Sequence, residues 1–72
     1  MERAIQVLDV VALVTDIPEH RLVRGQVGTV VELLGEDVLE VEFSDDEGRA
    51  YAMLSLSGAR LMVLYDHPVQ VS

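Results

Sequence analysis

The chain has no cysteine, no lysine and no tryptophan. Without cysteine, disulfides and thiolate metal sites are excluded, and a cytoplasmic location is expected. Without lysine, the usual partner of a phosphate-cradling loop is missing. Histidine is almost as scarce: His20 and His67 stand far apart, with no ligand-like spacing. No apolar run approaches the roughly 18 residues of a membrane span. The start, "MERAIQVLDVVALV", holds Glu2, Arg3 and Asp9 and has no small-residue cleavage site, so no signal peptide is expected.

Positive charge is also short. Five arginines face 13 acids, a formal net charge of −8. Such a surface repels nucleic-acid phosphates and anionic membranes. It favours solubility and steers a basic partner.

What is abundant is apolar material, 50% of the residues, with a mean hydropathy of +0.30. That excludes a disordered chain. A domain of this size buries only about 60% of the surface its unfolded chain exposes. An exposed apolar patch is therefore expected, either as an interface or as scattered surface residues. Residues 1–72 form one domain, with a core over about 8–65, an N-terminal arm and a C-terminal tail.

Hydrophobic alternation and turn residues predict five strands, over 9–14, 27–34, 38–43, 49–56 and 59–64. The clearest is "VLEVEF", where Leu39, Val41 and Phe43 alternate with Val38, Glu40 and Glu42. In the fourth strand Ala50, Ala52 and Leu54 share one face, and Tyr51 and Met53 the other. Pro18 blocks a helix in the long 16–26 connection and fixes a turn. Gly35 starts a tight turn, and Gly48 supplies a positive φ to the "SDDEG" hairpin. Five short strands without a convincing helix predict an all-β fold, a small closed or partly open barrel.

Gly25 and Gly28 form a Gly-x-x-Gly, but a strand former, "TVVELL", follows it rather than a helix. Gly25 is expected to turn the chain into the strand, and Gly28 to mark a bulge or sharp bend. The stretch Gly25 to Glu32 resembles the KOW motif of small RNA-associated barrels, although its surroundings here are Glu32, Glu36, Asp37, Glu40 and Glu42. Asp45, Asp46 and Glu47 lack the alternating ligands of a calcium loop and read as a solvated turn. No catalytic, cofactor-binding or metal site is expected.

Candidate partner contacts are of three kinds. His20, Arg21 and Arg24 form the only basic island, suited to a carboxylate or phosphate unless Asp16, Glu19 or strand acids neutralise it. Glu40 and Glu42 form an acidic strand face. Tyr51 and Met53, with Met62, are residue types enriched at interfaces. A register slip of one residue would put them inside instead.

Taken in order, "LDVVAL", "IPEH", "RGQVGTVVE", "EVEFSDDEGRAYA" and "LSL" resemble the DUF4926 family, small bacterial domains of unknown function. The resemblance implies a five-stranded SH3-like barrel and transfers no catalytic residue. It also implies a gene neighbourhood compatible with a binding pair, such as a toxin and its neutraliser. The function expected is a non-catalytic protein-interaction module, of antitoxin, immunity or regulatory type, with another protein or a second copy as partner. The alternative is a KOW-like nucleic-acid module, or an acidic mimic of nucleic acid.

Overall fold

A computed structural model describes residues 4–65. His67, Pro68 and the rest of the expected tail fall outside these residues, as do residues 1–3. Five strands appear: β1 (Val10–Leu13), β2 (Val27–Leu33), β3 (Val38–Ser44), β4 (Ala50–Ser57) and β5 (Leu61–Val63). Each lies within two residues of its expected bounds. Two 3-10 turns, Pro18–His20 and Gly58–Arg60, complete the described elements.

All five strands form one antiparallel sheet in the order β4-β3-β2-β1-β5. The all-β expectation holds, but the sheet is not closed. β5 has only three residues and pairs with β1 alone, so β4 and β5 remain edges. The sheet is nevertheless rolled. In a flat sheet the two edges would stand about 19 Å apart, four strand spacings. The three-residue turn Gly58–Arg60 joins them, and a 3-10 turn of that length advances only about 6–8 Å.

The roll encloses the core. Val11 and Leu13 of β1, Val30 of β2, Val41 and Phe43 of β3, and Leu61 of β5 point into it. Ile17 and Leu22 plug it from the β1–β2 connection, where they pair across a single bridge. Pro18 does not forbid helical structure here, because it opens the 3-10 turn itself. Its missing N–H costs nothing at a first helical position. Arg21 ends the turn in the left-handed region, φ 58°.

Gly25 and Gly48 adopt positive φ, +96° and +82°, as expected of turn glycines. Gly28 does not sit at a bulge. It pairs in regular register with Val11 and Phe43, and the β2–β3 irregularity falls between Val30 and Glu32. Glycine is required at 28 by close approach: a β-carbon there would lie 2.8 Å from Val41 Cγ1 and 2.9 Å from the Glu42 carbonyl oxygen. Gly35 lies in the bend closed by the Leu34 N–H donating to the Val38 carbonyl (2.8 Å), without a left-handed φ.

Candidate functional site

Because strand side chains alternate, the inner set just described fixes the outer face. On β1 the outer residues are Val10 and Ala12, and on β5 Met62. Ala12 pairs with both Met62 and Val27, and Val10 pairs with Thr29. Leu64 follows β5 and donates its N–H to the Val10 carbonyl at 2.8 Å. Apolar side chains of three adjacent strands thus form one continuous patch. Val10, Val27 and Met62 are 42%, 45% and 51% exposed, with only small Ala12 buried among them. Val14 continues the patch at the lower end of β1.

The other half of the same face is acidic. Thr29 pairs with Glu42, and Glu42 with Met53, so one row crosses the sheet from Val10 to Met53. The next row carries Glu32 directly opposite Glu40, which faces Ser55. The Ser55 hydroxyl donates to Glu40 Oε1 at 3.0 Å. Neither Glu40 nor Glu42 has an ion-pair partner among the described residues. The one acid–base cluster there is at the β3–β4 turn, where Arg49 contacts Asp45 and Glu47. The Asp45 carboxylate also accepts from the Glu47 and Arg49 N–H groups, which ties the turn together.

The expected interface residues divide. Met53 and Met62 are exposed on the outer face. Tyr51 does not share the face of Met53. The β3–β4 register shifts between Phe43 and Ser44, which makes Tyr51 the extra residue of a bulge and turns it inward. Its ring stacks on buried Phe43, with centroids 6.5 Å apart. Its hydroxyl accepts from Gln26 Nε2 at 3.0 Å. Tyr51 is a half-exposed lid at the end of the core.

The basic island, His20, Arg21 and Arg24, is exposed on the β1–β2 connection. His20 and Arg21 end the 3-10 turn, and both are exposed. Asp16 does not pair with the Arg24 guanidinium; it accepts instead from the Arg24 backbone N–H at 2.8 Å. No side-chain ion pair of Arg21 or Arg24 forms among the described residues.

The continuous patch on β1, β2 and β5 went unread in the sequence, apart from Met62. "DVVALV" is apolar at successive positions, so nothing polar marks which of its faces looks outward. Among the described residues no group of three or more His, Asp or Glu side chains is placed to hold a metal ion. No helix there is long and apolar enough to cross a membrane.

No curated protein and no solved structure matches the chain. The model of one family, "Domain of unknown function (DUF4926)", matches residues 7–63. With most of its length covered, and the ordered blocks from "LDVVAL" to "LSL" inside the match, this chain belongs to the DUF4926 family.

Proposed function

We propose that the protein is a non-catalytic interaction module that docks on another protein through the outer face of β1, β2 and β5. The observation that carries this reading is the patch of Val10, Val27, Met62 and Leu64, left in solvent on a sheet whose other face holds the core. Apolar burial on this face supplies affinity. The neighbouring carboxylates supply steering and selectivity. A neutraliser or regulator of a basic partner is the concrete form of the role.

The rolled five-stranded sheet, with its long β1–β2 connection and a 3-10 turn before the last strand, supports an SH3-like architecture. Small barrel-like folds of this kind host many functions, so the role rests on the face and not on the fold.

The test compares tagged wild-type protein with Val27→Asp and Met62→Asp variants, each checked for unchanged melting. A protein that co-purifies stoichiometrically with the wild type and is lost from both variants supports the reading. Identical partners on all three proteins would refute docking through this face.

A further inference from the structure

We propose that the patch on β1, β2 and β5 receives a basic amphipathic helix of the partner protein, with the helix's cationic flank set against Glu42 and Glu40. This rests on the docking reading above and adds the partner's chemistry.

Size favours a helix. The patch spans three strands, two spacings of about 4.8 Å, hence about 10 Å across. From Val10 to Val14 it runs about 13 Å along the strand. An α-helix with its side chains is about 10–12 Å wide, and three turns are about 16 Å long. A specific protein–protein interface of standard size needs about 800 Å² from each partner, more than this half-face presents. One helix stripe fits it, while a flat domain surface would extend over the acids.

Charge fixes the chemistry. Along the row from Val10, Thr29 separates the apolar half from Glu42. A helix centred on Val10 and Ala12 therefore has Glu42 about 10 Å to one side, two strand spacings away. An arginine or lysine side chain leaving the helix flank covers that distance. Glu42 and Glu40 are half-buried, and among the described residues neither has an ion-pair partner that would compete with a cation supplied in trans.

A second copy fits less well. Each copy brings a net charge of −8, and each would present the same acidic rows to the other. Of the described arginines only Arg60 adjoins the patch, at its lower end, where its carbonyl accepts from the Val14 N–H at 2.9 Å; Arg21 and Arg24 are in the β1–β2 connection and Arg49 is in the cluster with Asp45.

The test is an NMR titration of the full chain with two synthetic helix-forming peptides. Both carry the same leucine stripe. One has arginine on its flank, the other glutamate. We expect the arginine peptide to shift the Val10, Ala12, Val27 and Met62 amides, and to bind at least tenfold tighter than the glutamate peptide at low salt. Added salt should narrow that difference. Glu42→Gln should weaken the arginine peptide about three- to tenfold without changing the melting temperature. Equal binding of both peptides on this face would overturn the cationic partner and leave the docking face standing. If neither peptide moves these amides, the docking reading fails and the proposal with it. Shifts of the same amides with protein concentration alone would show that a second copy covers the face, which also overturns it.

Discussion

Gly28 lies opposite Phe43 across the β2–β3 pair, so close that a β-carbon on Gly28 would stand 3.0 Å from Phe43 Cδ1. The same carbon would meet Val41 Cγ1 and the Glu42 carbonyl. Phe43 and Val41 are fully buried, and a backbone carbonyl in a ladder cannot step aside. Gly28→Ala should therefore cost about 1–3 kcal/mol, the usual range for overpacking, and Gly28→Val more. In a domain of this size each kcal/mol lowers the melting temperature by about 4–8 °C. A Gly28→Val protein that melted with the wild type would refute the close approach.

The strands were legible because turn residues and alternation act locally. "VLEVEF" shows its buried face in its spelling, and Leu39, Val41 and Phe43 are buried as that pattern requires. The failures arise where a strand departs from period two or has no polar face. Counting places Tyr51 on the face of Met53, inward or outward according to register, but one extra residue in β4 separates the two, and nothing in "RAYAML" announces a bulge. At Gly28 the residue type alone signals a special position. The reason, contact with the next strand, is a property of packing that spacing does not carry. Likewise the docking patch needs β1, β2 and β5 side by side, and β5 joins β1 only through the roll of the sheet.

Tyr51 offers two contacts that substitutions separate. Tyr51→Phe keeps the stack on Phe43 and loses the bond from Gln26. That bond is solvent-exposed, so the loss should be about 0.5 kcal/mol. Tyr51→Ala removes the ring as well and should cost about 1–2 kcal/mol more, from lost apolar cover and the aromatic pair. Chemical denaturation of the two variants measures both steps. Equal stability of Tyr51→Ala and the wild type would show that the ring does not cover the core.

Glu32 and Glu40 face each other across β2 and β3. Like charges directly opposite on a sheet repel, and opposite charges contribute roughly 0.2–1 kcal/mol. Glu32→Lys should thus raise stability by about 0.5–1 kcal/mol at low salt. The gain should shrink as salt screens this pair, of which Glu32 is exposed. Melting at low and high ionic strength checks the sign and the screening together. A gain that did not depend on salt would point to strand propensity rather than charge.

Asp45 organises the β3–β4 turn by accepting from the Glu47 and Arg49 N–H groups, at 2.9 and 3.0 Å. Such Asx turns replace backbone bonds that the hairpin cannot make for itself. Asp45→Ala should cost about 1 kcal/mol, whereas Asp46→Ala, next to it, should be close to neutral. Equal losses from the two would mean that turn charge, not these bonds, matters.

Leu8 stands at φ 77° and is 76% exposed. A β-carbon in that region costs about 1–2 kcal/mol relative to glycine. The backbone is held there by the Leu8 N–H donating to the Val30 carbonyl at 2.7 Å, a bond that glycine keeps. Glycine loses about 0.5–1 kcal/mol through greater freedom in the unfolded chain. Leu8→Gly should therefore stabilise the domain by about 0.5 kcal/mol, the difference between the two effects. Gly25 gives the opposite control. Its φ is +96° and nothing lies within 4 Å of an added β-carbon, so Gly25→Ala isolates backbone strain and should lower stability by about 1 kcal/mol. Thermal melts of the two single variants should move in opposite directions. If Leu8→Gly instead lowered the melting temperature, the leucine side chain would have to pack on the protein despite its exposure, and backbone strain would not be the dominant effect at that position.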